Sequence, residues 1–274
     1  MHEGDGSKIR LLRDDDVPAA FELSSEAGWN QTEADWRLLL ALARKSCFVI
    51  EADRQVVATT TLVCYERKLA WIGMVLTKRE YRRRGMARRL LAEAMTQADQ
   101  MGIETTKLDA TDQGRPLYEE LGFRAEQKIE RWSRPGGTVV QIPAGVRAQE
   151  TTLRELDLTP FGADRSLLLD LLSERNTPTR VSRSFLFARP GRVTAYLGPC
   201  VSETPGAARS LIKQCLQSTT CGWSWDLFPR NQDAVDSARN FGFAPQRQLT
   251  RMFRGKPLQQ NEKAMYAIAG FELG

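Results

Sequence analysis

Apolar positions along the first half of the chain follow two periodicities, one typical of strands and one typical of helices. Runs rich in β-branched residues and bounded by turn formers predict strands over residues 9–12, 47–51, 56–65, 69–76, 105–111 and 123–132. Apolar residues on one helical face predict helices over 17–28, 33–43, 85–101 and 115–121. Strands and helices in this order predict an α/β domain.

The segment 85–101 has the clearest helical pattern. Its apolar residues recur at the spacing of one helix face: Ala87, Leu90, Leu91, Ala94, Met95 and Ala98. Gly102 follows as a residue that ends helices. A second local signal, Thr32 followed by Asp35, resembles a capping box and predicts the start of the helix over 33–43.

The pattern breaks near 134–145 and then restarts. Glycine and proline at 135–137 and 143–145 predict a domain boundary near 135–150, and hence domains over 1–140 and 148–274. In the second half we expect strands over 152–156, 184–188 and 193–201 and a helix over 161–174. Gly206 and Gly242 repeat the surroundings of Gly85 and Gly122, and the two separations are 36 and 37 residues. Matched order and spacing predict two tandem copies of one fold.

Composition excludes several kinds of chemistry. The only histidine is His2, so this chain by itself cannot build a Ser-His-Asp triad or a His-rich zinc site, and we expect no metal. The five cysteines include no CxxC pair, which favours reduced thiols. No apolar run approaches the roughly 20 residues of a membrane span, and the first residues lack the apolar core of a signal peptide. These features predict a cytoplasmic protein without a membrane partner.

Candidate chemistry is concentrated in a strand, a basic loop and the start of a helix. The pattern Arg82-x-x-Gly85-x-Ala87 places small residues and arginines at the start of the strongly periodic helix. Backbone N–H groups at a helix N-terminus favour a phosphate, and arginines add charge-assisted hydrogen bonds. The alternative is an ordinary solvated loop. The net charge of +5 lies largely in this cluster, which suits a phosphorylated small ligand better than nucleic acid, so we predict no nucleic-acid partner.

At these residues the chain resembles the GNAT superfamily, the GCN5-related N-acetyltransferases. Their signature (Arg/Gln)-x-x-Gly-x-(Gly/Ala) is matched from Arg82 to Ala87, and segment 114–123 is similar to the second signature of the family. The resemblance implies a mixed sheet whose fourth and fifth strands splay apart, with acetyl-CoA as acetyl donor. It implies cofactor contacts from two groups of residues. Pantetheine pairs with Met74, Val75, Leu76 and Thr77, and the pyrophosphate lies on Arg82, Arg83, Arg84, Gly85, Met86 and Ala87.

The resemblance also suggests catalytic and acceptor residues. Tyr118 is the candidate acid that protonates the departing thiolate; the alternative is a packed aromatic residue. The general base stays open among Glu66, Asp109 and Asp112. Thr111 stands where the family often carries an asparagine that contacts the cofactor. The acceptor side implied by the family holds Trp29, Asn30 and Trp36, for which packing is the competing interpretation.

The second copy lacks several of these residues. With Gly242 aligned to Gly122, Ala238 replaces Tyr118, and an arginine-free loop, 202–205, replaces the basic one. Asn231 and Ala234 nevertheless keep the Asn-x-x-Ala spacing of the family. We therefore expect a degenerate GNAT-like domain that has lost CoA binding.

The functional prediction is an acetyl-CoA-dependent N-acetyltransferase that transfers the acetyl group directly to the amine of a small molecule. The alternatives are a protein or peptide N-acetyltransferase and a non-catalytic acyl-CoA-binding regulatory module. A regulatory module needs no catalytic acid, and Tyr118 therefore argues against it. We expect a monomer or a homodimer.

Overall fold

The structure, a computed structural model, describes residues 6–136, 151–217 and 221–274. The chain divides into two compact units, one that ends at Leu108 and one from Asp109 to Gly274. The predicted break at 143–145 and most of the predicted boundary at 135–150 lie outside the described residues. The domains 1–140 and 148–274 therefore stay a prediction.

The first unit is a mixed sheet covered by helices, as the sequence predicts. Its elements are β1 (Lys8–Leu11), α1 (Val17–Glu26), α2 (Glu33–Ala43), β2 (Cys47–Ala52), β3 (Gln55–Tyr65), β4 (Leu69–Thr77), α3 (Met86–Gln100) and the first part of β5 (Thr105–Ala110). The strands β1 to β4 pair as antiparallel neighbours in chain order, and β5 joins β4 in parallel. The one parallel connection runs through α3, as a crossover must.

Local sequence signals account for helices α2 and α3. The Thr32 side chain accepts from the Asp35 N–H and Asp35 binds back to the Thr32 N–H, which is the predicted capping box of α2. In α3, every residue of the predicted apolar face except Ala87 is buried, and Met86 is buried as well. Leu90 and Leu91 are fully buried, and each such side chain contributes about 1.5–3 kcal/mol by leaving water. Burial of this face fixes where the N-terminus of α3 lies in the first unit.

The second unit contains the strands and helices that follow β5 in the chain. Its elements after β5 are α4 (Arg115–Glu120), β6 (Arg124–Arg134), α5 (Leu153–Phe161), α6 (Ser166–Arg175), β7 (Thr179–Arg180), β8 (Ser184–Arg189), β9 (Ala195–Ser202), α7 (Pro205–Gln217), β10 (Trp223–Leu227), α8 (Gln232–Asn240), β11 (Ala244–Gly255) and β12 (Met265–Ala267). The strand order is β11-β6-β10-β9-β8-β7, and β12 pairs with β9. Strand β6 therefore lies between two strands that follow it by about 90 residues or more.

The predicted strand over 152–156 is wrong, because this segment is the start of α5. The Thr152 side chain accepts from the Glu155 N–H while Glu155 binds back to the Thr152 N–H. This capping box outweighs a short apolar pattern that a strand and a helix share. Gly162, at φ +86°, ends α5, so that the helix predicted over 161–174 begins later, as α6.

Candidate active site

A bulge interrupts β4 in the middle of the residues predicted to hold pantetheine. Thr59 pairs with Leu76 and Thr61 with Gly73, so that one residue of β3 faces two residues of β4, Met74 and Val75. Met74 has φ +50°, which is unusual for a residue with a long side chain. The buried Thr59 hydroxyl donates to the Met74 carbonyl oxygen at 2.7 Å, and the Thr60 hydroxyl reaches the Gly73 carbonyl at 3.4 Å. Side chains of β3 therefore hold the bulge.

The bulge directs a backbone donor away from β3. In a planar trans peptide the C=O and the following N–H point in opposite directions. Because the Met74 carbonyl points to Thr59, the Val75 N–H points away from Thr59. The parallel ladder between β4 and β5 joins Leu69, Ala70 and Trp71 to residues 105–107. Within the described part of the first unit, no pairing of β4 with β5 continues past Trp71, which leaves a strand edge suited to a peptide-like ligand arm.

The basic loop after β4 leads into a helix N-terminus without a side-chain cap. Gly85 precedes α3 at φ +78° and has no side chain to accept from the first helical N–H groups. The helix dipole adds a partial positive charge at this end. Arg82, Arg83 and Arg84 are exposed beside it. Backbone donors and arginines together form an anion-binding arrangement.

Conformation rather than space explains the glycine at this position. A Cβ atom placed on Gly85 would meet no heavy atom within 4 Å, but φ +78° disfavours other residues. Arg83 is also in the left-handed region, at φ +62°. The Arg82 Nε donates to the Thr77 carbonyl at 3.1 Å, and Arg84 lies 5.1 Å above the Tyr81 ring. Met86 is buried and presents only its backbone, whereas Ala87 is partly exposed.

The predicted acceptor residues lie in different environments. Trp36 is fully buried on α2, and its indole N–H donates to the Ser24 hydroxyl at 3.1 Å. This burial favours packing for Trp36. Trp29 and Asn30 are half-buried in the segment between α1 and α2, immediately after Gly28 at φ +73°. These two residues stay the candidates for contact with an acceptor.

Tyr118 lies on α4 in the second unit, next to a glycine that makes room for its ring. A Cβ atom on Gly114 would lie 3.2 Å from Tyr118 Cε2, which is tighter than an ordinary contact. The Thr111 hydroxyl accepts from the Gly114 N–H at 3.0 Å and stabilises this turn. Phe123 packs edge-on against Tyr118, with ring centroids 6.2 Å apart. Burial raises the pKa of Tyr118 to about 12, so its hydroxyl keeps its proton at neutral pH.

The three candidate bases differ sharply. The side chain of Asp109 is fully buried, and both of its oxygens accept from Arg251, each at 2.8 Å. A buried carboxylate paired in this way is a structural anchor. Glu66, in the turn before β4, and Asp112 are exposed. Sequence reasoning had no signal for the Arg251 partner, because it is 142 residues away.

The cysteines, the possible metal ligands and the apolarity of the helices bear on the remaining sequence-based expectations. All the cysteines are free, and burial raises the pKa of the Cys47 thiol to about 12 and that of Cys64 to about 11. Among the described residues no group of three or more His, Cys, Asp and Glu side chains could hold a metal ion. Across the same residues no helix combines the length and apolarity that a membrane crossing requires.

The first unit thus combines a mixed sheet, a bulged fourth strand, a basic loop and a helix N-terminus without a side-chain cap. Two family profiles described as Acetyltransferase (GNAT) domain match the chain, over residues 43–125 and 153–267. The chain belongs to this family and carries two GNAT domains in tandem. It is therefore an acetyltransferase.

Three known proteins match this chain along nearly its whole length. The uncharacterized N-acetyltransferase YitH of Bacillus subtilis is 24% identical over 283 residues, which cover 96% of this chain and 97% of YitH. A protein from Pyrococcus horikoshii, known from a crystal structure at 2.25 Å resolution, has a TM-score of 0.86 at 20% identity, and the match covers 100% of this chain and 99% of that chain. A GCN5-related N-acetyltransferase from Sphaerobacter thermophilus has a TM-score of 0.65 at 15% identity, with coverage of 93% and 99%. These similar structures support the fold.

Proposed function

We propose that the first unit binds acetyl-CoA and that the protein transfers the acetyl group directly to an amine. The observation that carries the proposal is the combination of an uncapped α3 N-terminus, an arginine loop and the bulged edge of β4 within one unit. The α3 end and the arginines suit the pyrophosphate, and the β4 edge beyond Trp71 suits the pantetheine amides.

In the proposed reaction the neutral amine attacks the thioester carbonyl carbon. The C–N bond forms, the carbonyl oxygen gains negative charge, and the C–S bond then breaks. The Val75 N–H is the donor that we assign to the developing oxyanion, because the bulge points it away from β3. The departing thiolate takes a proton from Tyr118, the amine nitrogen releases one to water or to a base that is not assigned, and Tyr118 then regains a proton from water.

We propose a small-molecule amine as the acceptor, in contact with Trp29 and Asn30. An aromatic face beside a polar side chain suits a compact amine. We further propose a cytoplasmic protein that is a monomer or a homodimer and binds no nucleic acid. Size-exclusion chromatography with light scattering tests the oligomeric state.

The central experiment compares two glycine variants at opposite ends of α3. Gly85→Asp places a negative charge at the proposed pyrophosphate site. Gly102→Asp is the matched control, since Gly102 has φ +66° and its Cβ position is equally open. We expect calorimetry to show loss of acetyl-CoA binding for Gly85→Asp and near-normal binding for Gly102→Asp. Normal binding by Gly85→Asp would exclude this site.

Thiol release from acetyl-CoA then separates the three functions. A panel of small amines and of peptides with free N-termini serves as acceptors. Turnover with small amines supports the proposal, whereas turnover only with peptides supports a protein or peptide acetyltransferase. Tight acetyl-CoA binding without thiol release for any acceptor supports a regulatory module.

A further inference from the structure

Each half of the chain contains a parallel strand pair that stops after three residues. Strand β4 pairs with β5 at Leu69, Ala70 and Trp71, and β9 pairs with β10 at residues 195–197. Past this ladder each strand bulges, because one residue of the neighbouring strand faces Met74 and Val75 in β4 and Gly198 and Pro199 in β9. With the two bulges aligned, Cys200 and Val201 correspond to Leu76 and Thr77. These are the positions that the pantetheine arm is proposed to bind in the first unit.

In the second unit these positions already have a partner from the same chain. Strand β12 pairs antiparallel with β9, with Ala267 opposite Cys200 and Met265 opposite Val201. The same segment also bonds to β10. The Ile268 N–H donates to the Asp226 carbonyl at 3.1 Å, and the Trp225 indole N–H donates to the Tyr266 carbonyl at 2.7 Å. Segment 265–268 is thus held by both strands past the point where their ladder ends.

The cleft between β9 and β10 fits this segment closely. All four residues of 265–268 are at most 2% exposed. A Cβ atom on Gly198 would overlap the Ile268 carbonyl oxygen, so a glycine at 198 is what permits the close approach. The cleft is therefore filled to van der Waals contact by backbone as well as by side chains.

The asparagine retained in the second copy also binds this segment. Asn231 caps α8 by accepting from the Ala234 N–H. Its Nδ2 donates to the carbonyls of Glu262, Lys263 and Met265 at 3.0–3.2 Å. Asn231 is nearly fully buried, and its two amide hydrogens are shared among these three carbonyls. The side chain that the resemblance assigns to cofactor contact thus holds the chain itself.

The loop before α7 adds an electrostatic obstacle. It contains no arginine, and its Glu203 lies two residues before the helix starts, where its carboxylate pairs with Arg183 at 2.7 Å. Both groups are exposed, so the pair leaves the carboxylate accessible to solvent and repulsive to a pyrophosphate.

We propose that segment 265–268 is a built-in occupant of the second cofactor cleft and takes the place of a pantetheine arm there. A tethered backbone segment competes at an effective concentration that a free ligand rarely reaches, so acyl-CoA does not displace it. The consequence is one acetyl-CoA per chain, bound by the first unit. This stoichiometry rests on the proposed function, whereas the occupancy of the second cleft does not.

Hydrogen exchange on the full-length protein tests the occupancy directly. We expect slow exchange over 265–268 without ligand, and no change there on saturation with acetyl-CoA. Residues 74–77 and 86–88 should exchange more slowly when acetyl-CoA is added. Faster exchange over 265–268 with acetyl-CoA, or a second equivalent of acetyl-CoA in calorimetry, would overturn the proposal.

A matched pair of variants on α8 isolates the asparagine. Asn231→Asp keeps the oxygen that caps α8 and removes the donor to three carbonyls. Asn240→Asp makes the same chemical change at an exposed position of the same helix. We expect exchange over 265–268 to accelerate at least about tenfold in Asn231→Asp and to stay unchanged in Asn240→Asp.

Equal exchange in both variants would show that Asn231 does not hold the segment and would contradict the proposal. If Asn231→Asp does not fold, the rate of hydrogen exchange over 265–268 in the ligand-free wild-type protein still tests the proposal. Slow exchange over 265–268 in a chain that binds no acetyl-CoA would sink the proposed function and leave the occupancy intact.

Discussion

Thr59→Val removes one hydroxyl from a fully buried residue of β3 and keeps the shape of the side chain. The Thr59 hydroxyl holds the Met74 carbonyl at 2.7 Å, and Met74 has φ +50°. Thr59 does not touch the reacting atoms in the proposed mechanism. It is a positioning residue that acts through the bulge and hence through the direction of the Val75 N–H.

The structure sets the size of the effect. An unsatisfied buried acceptor costs about 1–3 kcal/mol, and a left-handed conformation costs a non-glycine residue roughly 1–2 kcal/mol. The lost hydrogen bond is thus comparable with the strain that it stabilises. We expect the bulge to lose its preference for the native geometry. At about 1.4 kcal/mol per factor of ten, kcat should fall about 5- to 150-fold.

The assay is thiol release at saturating acetyl-CoA and amine, with the Kd for acetyl-CoA measured by calorimetry. Thr59→Ser keeps the hydroxyl and should restore most of kcat. Thr60→Val is the control, because the Thr60 hydroxyl lies 3.4 Å from the Gly73 carbonyl oxygen and this long hydrogen bond contributes less to the stability of the bulge. A kcat for Thr59→Val within about twofold of wild type, or no recovery in Thr59→Ser, would refute this account of the bulge.

Three further predictions concern the second unit. Tyr118→Phe should lower kcat by about 10²–10⁴-fold with little change in acetyl-CoA affinity, as measured by turnover and calorimetry, if Tyr118 donates its proton to the thiolate. Burial raises the pKa of Tyr118 above its usual value of 10.0, so this acid stays protonated below pH 10. The pH profile of kcat should therefore show no descending limb below pH 10. A descending limb near pH 8 that vanished in Tyr118→Phe would contradict the raised pKa. Asp109→Asn should destabilise the protein by about 3–5 kcal/mol in denaturant unfolding, since the substitution removes one charge of a buried ion pair, and a loss under about 1 kcal/mol would rule out the anchoring role.

Local signals in the sequence were enough for the elements that carry the cofactor loop. The capping box of Thr32 and Asp35 marks the start of α2, and the apolar face of α3 follows directly from residue spacing. Gly85 marks a left-handed position before α3. These features depend on residues a few positions apart, which is the range over which helix periodicity and capping act. The same short range explains the error at Thr152, where two local patterns competed.

Contacts between distant residues were decided only by the tertiary structure. No residue type near Met74 indicates a bulge in the sequence, because the Thr59 hydroxyl that stabilises the bulge belongs to another strand. Three further contacts join segments that lie far apart in the chain. Asp109 pairs with Arg251, β6 lies between β10 and β11, and β12 pairs with β9. Strand partners are chosen by backbone hydrogen bonds that every residue offers alike, so the amino-acid sequence predicts the strands and the packed fold selects their neighbours.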